Sequence, residues 1–582
     1  MTDWERDEIK RKIASLPSGG VSYKTISGKK YAYHQWTENG KQRSRRVKDE
    51  ELESLTEAIA ERKRLQKLLK EKPAKTENKN DQFSAARTGE ALKRFIAPVK
   101  DFKKRDIFPA LHDYIFGEVS DRVFILYGLR RTGKTTMIRQ VISEMTDEMF
   151  AKTAFIQINS SNTLAGINRE LRELEDAGYR YIFLDEVTLM EDFIEGAALF
   201  SDVYASSGMK IVLSGTDSLG FVFSEDDQLY DRCIMLHTTL IPYREFERVL
   251  GIEGVDEYIR YGGTMSMGGV NYNSAPTFAT KASTDEYVDS AIARNIQHSL
   301  KYYRYGDHFG SLVELYDKNE LTSAINRIIE DINHRFTLEV LTRQFKSHDL
   351  RMSANNLRSA NDVLDRINTQ AVTERLRELL EIRNREEQSV NITDAHRAQI
   401  KEYLDLLDLT SDVDVLRLPD VGSKEKRTII TQPGMRYSQA TALIEQLMLD
   451  KVFNSLSAIE RSEVTERILS EVKGRMLEDI ILLETKEARK DRRVFKLQFA
   501  VGEFDMVVFD PESITCEIYE IKHSTQVDKN QYRHLIDGDK CRETEFRFGT
   551  IMRKTVLYRG KDTQVNGINY LNAEEYLRGL KE

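Results

Sequence analysis

Residues 128–136 read GLRRTGKTT, a complete Gly-x-x-x-x-Gly-Lys-Thr phosphate loop, and the flanking residues have the form such a loop needs. The short apolar run Val123 to Leu126 before it predicts a strand, while Thr136 to Ser143 after it carries apolar residues at helical spacing. A loop between strand and helix turns its backbone N–H groups, and the positive end of the helix, onto phosphate oxygens. Gly128 and Gly133 allow the tight turn, Lys134 is expected to reach the β and γ phosphates, and Thr135 to ligate magnesium. Arg131, Thr132 and Thr136 complete the expected nucleotide contacts. ATP with Mg2+ is therefore the predicted ligand pair.

A phosphate loop requires a second strand to hold the metal. Residues 181–186, YIFLDE, supply four large apolar residues followed by two acids. In that setting Asp185 holds magnesium and Glu186 polarises the attacking water as general base. An apolar run ending in two acids is common by itself; its place downstream of the loop gives it meaning. A third strand is predicted at Lys210 to Leu213, followed by Ser214, Gly215 and Thr216. Ser214 and Thr216 read either as sensors of the γ-phosphate or as residues of a simple turn.

At 582 residues the chain is long enough for about three to five domains, each with its own core. Cys233, Cys516 and Cys541 are widely spaced and form no metal-ligand pattern, which argues against a disulfide framework or a zinc ribbon. The N-terminal MTDWERDEIKRK is charged where a signal peptide is apolar, and no run approaches the roughly 18 apolar residues of a membrane span. A cytoplasmic protein without membrane association is expected. The net charge of −8 is uneven: residues 1–106 hold 27 Lys and Arg against 17 Asp and Glu. The net charge does not itself point to nucleic acid, and any electrostatic docking to it would start at the N-terminus or in a local basic groove.

Three short alternating segments near 20–26, 29–36 and 41–47 are separated by Ser27-Gly28 and Glu38-Asn39-Gly40, which predicts hairpins, and a charged helix runs from Asp49 to about Lys70. Tyr31, Tyr33 and Trp36 mix with Lys29, Lys30, Arg43, Arg45 and Arg46. Such residues either stack on bases and pair with phosphates, or form a solvated sheet whose aromatics pack on the helix. The three strands and one helix resemble the small arm-binding modules of phage-type integrases. Residues 73–88 are polar with little periodicity and read as a linker.

Further motifs follow the loop: LDE at 184–186, SGTDSL at 214–219, YDR at 230–232 and IPYREF at 241–246. With the phosphate loop and its two arginines they resemble the prokaryotic AAA-superfamily ATPases that carry a C-terminal domain of unknown function. That resemblance implies Arg232 as a charge stabiliser acting in cis or in trans; an ordinary ion pair is the alternative. Residues 402–419, EYLDLLDLTSDVDVLRLP, read as a helix followed by the strand of a hairpin, the ending of a winged-helix domain. Such a domain binds DNA or braces its neighbours.

A second constellation lies near the C-terminus. Glu478 sits in the helical stretch GRMLEDIILLE, Asp505 in the apolar strand GEFDMVVFD, and Glu520 and Lys522 in the strand CEIYEIKHS. Side chains alternate along strands, so Glu520 and Lys522 share a face on which Asp505 of a neighbouring strand meets them. Carboxylates that hold a metal, beside a lysine that orients or deprotonates the nucleophile, are what a magnesium nuclease requires. The order Glu, Asp, Glu-x-Lys resembles the PD-(D/E)xK nuclease superfamily, with Phe504 where that family often has proline. The resemblance implies Glu478, Asp505 and Glu520 as ligands of Mg2+ or Mn2+, Lys522 as catalytic, and Gln531 and His534 as substrate contacts.

The expected fold is multidomain and mainly α/β. Its parts are a small β-meander plus helix module (1–72), a linker (73–89), a P-loop AAA-type ATPase core (90–250), a helical lid (251–335), a winged-helix-like region (336–435) and a C-terminal PD-(D/E)xK-like domain (436–582). The expected function is ATP hydrolysis that regulates cleavage of nucleic acid, DNA favoured, in defence or mobile-element biology, with self-association open. The alternative is an ATP-dependent switch whose C-terminal domain binds DNA or protein without cutting.

Overall fold

In residues 1–85 the computed structural model describes 16–17, 20–26, 29–38, 41–47 and parts of 51–62. From 86 to 580 it describes all but 119–120, 191, 217–220, 222–228, 230, 239, 266–276, 303–308, 355–391, 420–424 and 450–456. The chain forms two compact units, Met1–Ser84 and Ala85–Glu582. Residues 73–85 of the expected linker, much of SGTDSL and part of the winged-helix stretch lie outside the described residues, while Ala86–Arg87, expected in the linker, form a strand.

The first unit holds a three-stranded antiparallel sheet, β1 (Gly20–Ile26), β2 (Lys29–Glu38) and β3 (Lys41–Arg46). Tyr33 pairs with Arg46, while Ala32, His34, Val47 and Ile59 are buried. Tyr33 is half-buried, and Arg45 and Arg46 are exposed.

The second unit begins with a six-stranded sheet ordered β4-β6-β7-β8-β5-β9. Its strands are β4 (Ala86–Arg87), β5 (Val123–Tyr127), β6 (Thr153–Gln157), β7 (Tyr181–Asp185), β8 (Lys210–Gly215) and β9 (Cys233–His237). All pair in parallel except β4. The continuous apolar runs of β5 to β8 fit this, because a parallel sheet covered by helices buries both faces. The strand carrying the phosphate loop, β5, is separated from the acid-bearing β7 by β8 alone, so all three end at one edge.

Helices follow: Tyr243–Leu250, Val255–Tyr261, Lys281–Tyr287, Arg294–Tyr302, Gly310–Asp317 and the long Leu321–Ala354. That last helix runs through the expected boundary at 335/336. A second correction concerns the winged-helix region. Its hairpin exists as β10 (Thr410–Arg417) and β11 (Glu425–Ile430), but β10 pairs in parallel with β12 (Arg493–Gln498). The hairpin therefore extends the C-terminal sheet and is not a free wing. Backbone groups of an apolar edge strand gain partners by joining a sheet, and the local pattern of residues 402–419 carries no sign of that distant partner.

The remaining strands are β13 (Glu503–Asp510), β14 (Thr515–Ile521), β15 (Thr550–Tyr558), β16 (Thr563–Val565) and β17 (Ile568–Asn572), and the eight-stranded order is β11-β10-β12-β13-β14-β15-β17-β16. Strands β12, β13 and β14 form an antiparallel meander; helix Gly538–Phe548 then leads into β15, parallel to β14. Helix Ala458–Ala488 packs on this sheet. It starts at a capping box in which Ser457 accepts from Glu460 N and Glu460 accepts from Ser457 N, satisfying two otherwise orphaned donors. One hydrophobic core joins Tyr243, Phe246 and Tyr258 to Val472, Met476, Ile481 and Met506, so the ATPase core and the C-terminal sheet share packing. No helix among the described residues is long and apolar enough to cross a membrane.

Candidate functional sites

The phosphate loop takes the conformation its glycines permit, with φ of 135° at Gly128 and 93° at Gly133, both in the region glycine tolerates. Helix Lys134–Ser143 starts directly after it. Lys134 Nζ donates to Gly128 O and Leu129 O, each at 2.8 Å, so the ammonium rests on the loop's own carbonyls. Burial pushes Lys134 down to about 8, against the pull of Glu186 and Asp185. Thr132 is buried and donates to Leu129 O at 2.8 Å. Arg131 is exposed, with its guanidinium 2.8 Å from Thr277 Oγ1, and Thr136 is half-buried in the first helical turn.

The second strand's acids diverge. Thr135 Oγ1 donates to Asp185 Oδ2 at 2.7 Å, and Ser214 donates to the other oxygen of the same carboxylate. Glu186 adopts a left-handed φ of 61°, which turns its side chain toward Thr216, whose hydroxyl donates to it at 3.1 Å. Burial raises the Glu186 carboxyl above its ordinary value, opposed by Lys134. The structure thus brings Lys134, Thr135, Asp185, Glu186, Ser214 and Thr216 to one sheet edge. Hydroxyl and carboxylate oxygens converging beside a phosphate loop fit a hard cation such as Mg2+.

Arg232 stands elsewhere. It precedes β9, and its carbonyl accepts from Val123 N at the start of β5, so it lies at the opposite end of the sheet from the loop, roughly 13 Å away by strand rise. Its guanidinium pairs with Asp202 at 3.1 Å. That distance removes the cis role.

Arg105 was not legible in the sequence. It is buried beneath the loop, donating to Glu245 Oε2 at 2.6 Å, to Thr132 O and Thr238 O at 3.0 Å, and to Leu240 O at 2.8 Å.

The C-terminal constellation gathers at a cleft of about 500 Å³ lined by Glu503, Asp505, Glu520, Lys522, Arg533 and His534, among others. Carboxylate oxygens of Glu478, Glu503 and Asp505 lie within 4.8 Å of one another. Glu478 comes from helix Ala458–Ala488, while Glu503 and Asp505 share a face of β13 at alternate positions. Glu520 lines the same cleft, with its carboxylate 2.6 Å from Lys522 Nζ and against that of Asp505, while Glu503, not singled out in the sequence, joins Glu478 and Asp505. Lys522 also lies 2.7 Å from Asp505 Oδ2. Although burial opposes it, the carboxylates of Asp505 and Glu520 hold the Lys522 ammonium well above its ordinary value. Held by two carboxylates, the ammonium is fixed in orientation beside Asp505.

Two buried cations offset the triad. Lys496, 3% exposed, lies 2.9 Å from Glu503, 3.6 Å from Glu478 and 3.8 Å from Asp505. It sits where the β12–β13 register shifts, between Phe495 and Leu497, and such a bulge re-aims a side chain. Arg475 pairs with Glu478 and lies 3.5 Å from Glu503. Burial pushes the Glu503 carboxyl up, but Lys496 and Arg475 outweigh it and hold the group at about 2. His534 reaches the same cleft; burial, Lys540 and Arg533 lower its basicity. Gln531 instead donates to Ser524 and Gln526 O within its own loop.

Residues 120–247 match the family model described as an AAA domain, and residues 1–57 match a domain of unknown function (DUF6788). No curated protein matches the chain. Among solved structures, the Orc1 protein of Aeropyrum pernix in complex with DNA aligns at 13% identity over 62% of this chain and 99% of that chain, with a TM-score of 0.21. Hsp104 of S. cerevisiae in a casein complex aligns at 13% identity over 38% of this chain and 42% of that one (TM-score 0.24). PCH-2 of C. elegans aligns at 16% over 38% and 62% (TM-score 0.19). The match spans less than two thirds of the Hsp104 and PCH-2 chains. Alignments with TM-scores this low carry no functional argument. The parallel sheet, the loop geometry and the family match together define an AAA-type P-loop ATPase domain.

Proposed function

We propose that this chain hydrolyses ATP and that its nucleotide state governs metal-dependent cleavage of nucleic acid, DNA favoured, in the C-terminal cleft. The observation that carries the reading is the Glu478, Glu503 and Asp505 triad, two of whose members, Glu503 and Asp505, line a cleft together with Lys522. Support also comes from the order of elements: a helix, a three-stranded antiparallel meander, a second helix and a parallel strand resemble the core of the PD-(D/E)xK nucleases.

At the nucleotide site Lys134 leaves its loop carbonyls to meet the phosphates. Asp185 and Thr135 would hold Mg2+, with Ser214 fixing Asp185, and Glu186 would accept the water's proton at its carboxylate while Thr216 orients it. In the cleft, Glu478, Glu503 and Asp505 offer hard oxygen donors to Mg2+ or Mn2+. A metal bound there supplies an activated water and charge neutralisation at a phosphodiester. Lys522, anchored by Asp505 and Glu520, orients that water and faces the developing negative charge, and His534 and Arg533 line the wall where a phosphate approaches.

The ATP-dependent switch that binds without cutting has an observation in its favour. Lys496 and Arg475 already offset the triad's charge, as buried structural acids require. Plasmid cleavage in Mg2+ or Mn2+ by the native protein and by Asp505→Ala separates the two. Cleavage lost in the variant supports the nuclease; ATP turnover without cleavage under any condition supports the switch. Arg232 is proposed to act only on a neighbouring copy's nucleotide, and the basic N-terminal sheet is proposed as a nucleic-acid contact.

A further inference from the structure

Helix Val255–Tyr261 follows the ATPase core, and Asp256 lies in its first turn. Its carboxylate gathers three basic side chains from three elements of the C-terminal region. Arg559, after β15, is 2.7 Å away; His523, the residue after Lys522, is 3.0 Å away; Lys473, five residues before Glu478 on the same helix, is 3.3 Å away. The turn gripped in this way is closed by its own backbone, since Arg559 N donates to Ser524 O at 2.9 Å and Lys522 N to Leu557 O at 2.8 Å. The hydrogen bond from His523 is the largest influence holding the Asp256 carboxyl well below the usual range, with Arg559 and Lys473 adding to it against burial.

Nine residues beyond Asp256, the same segment touches the phosphate loop: Met265 N donates to Arg131 O at 2.7 Å. Arg131 also donates to Thr277, which accepts from Thr264 at 3.1 Å. Between these anchors Gly262 O accepts from Gly434 N at 3.0 Å, and Gly263, at φ 111°, passes so close to Gln432 that a Cβ would fall 2.7 Å from its side chain. A braced segment held at both ends passes on a displacement instead of absorbing it. The loop has reason to move, because Lys134 must leave Gly128 O and Leu129 O to reach a triphosphate.

The geometry points to Asp256 as a positioning residue that transmits the state of the phosphate loop, through His523, to Lys522 in the cleft. This rests on the reading of the cleft as a cleavage centre, and it adds the residue by which nucleotide reaches it. Asp256 pairs with Lys473, His523 and Arg559, none of which belongs to the phosphate loop or the acid triad, so its loss separates coupling from chemistry.

The test is hydrogen exchange of the backbone amides of residues 520–524 in the full chain, with Mg2+ and with or without a non-hydrolysable ATP analogue. In the native protein the analogue changes exchange there by about threefold or more. In Asp256→Asn that change is lost while the analogue's Kd stays within about twofold; Asp256→Glu, which keeps the carboxylate, restores part of it. Should Asp256→Asn fail to fold, His523→Ala removes the link next to Lys522 and carries the same expectation. An equal nucleotide-dependent change in the folded variant overturns the assignment, as does no change in native protein saturated with the analogue. Exchange is read whether or not nucleic acid is cut, so a failed cleavage assay bears on the cleft's chemistry and not on Asp256.

Discussion

Lys496 Nζ lies 2.9 Å from Glu503 Oε1, placing a buried ammonium against the carboxylates that are proposed to hold a divalent cation. Two cations compete for one set of acids. Replacing the ammonium by a neutral amide should favour the metal: Lys496→Gln is expected to bind Mn2+ about tenfold more tightly than the native protein, and Glu503→Gln about tenfold more weakly. Titration calorimetry with the metal alone reads both. Weaker binding in Lys496→Gln contradicts the competition.

The divergent hydrogen bonds of Asp185 and Glu186 predict separable losses. Glu186→Gln retains the nucleotide and loses about 10²- to 10⁴-fold in turnover, the usual contribution of a positioned base. Lys134→Ala loses the nucleotide itself. Equilibrium binding of a fluorescent ATP analogue beside phosphate-release kinetics distinguishes the two.

Much of the ATPase site was legible because its chemistry sits in short contiguous runs. GLRRTGKTT and YIFLDE each combine an apolar strand with its polar terminus, and Ser214 and Thr216 end a third strand. Lys496 and Glu503 were harder to see. A single lysine in VFKLQ gives no sign of a bulge that turns it inward, although Glu503 shares the parity of Asp505 and that spacing offered a clue. Arg232 shows the converse: its place in YDR fitted a family motif, yet only the pairing of β9 with β5 reveals which end of the sheet it occupies. The hairpin at 410–430 was readable, but its partner β12 is distant in sequence and no local pattern records it.

Arg105, itself buried, ties Thr132 O of the phosphate loop to Glu245. Arg105→Ala leaves Glu245 charged and without its partner, and is expected to cost about 3–5 kcal/mol. Denaturant unfolding of that variant, of Glu245→Gln and of the double replacement measures the coupling; purely additive losses contradict the link.

Glu484 is fully buried and accepts from Tyr243 N at 2.8 Å; burial raises its carboxyl from 4.5 to about 7. Between those values the folded state keeps a proton that the unfolded state has released, so stability falls as pH rises through this window and the cost is complete above about 7. Glu484→Gln removes that cost. It should exceed the native protein in stability by up to about 3 kcal/mol at pH 8 and match it near pH 4. Thermal melts across this range test the sign, and a variant less stable at pH 8 refutes it.

The most direct test of the central claim is cleavage by the purified full chain of plasmid, single-stranded DNA and RNA, in Mg2+ or Mn2+, with and without ATP. Asp505→Ala and the isosteric Asp505→Asn are assayed in parallel. Metal-dependent cleavage by the native protein, changed by ATP and absent from both variants, is the predicted result. Cleavage that persists unchanged in folded Asp505 variants contradicts it.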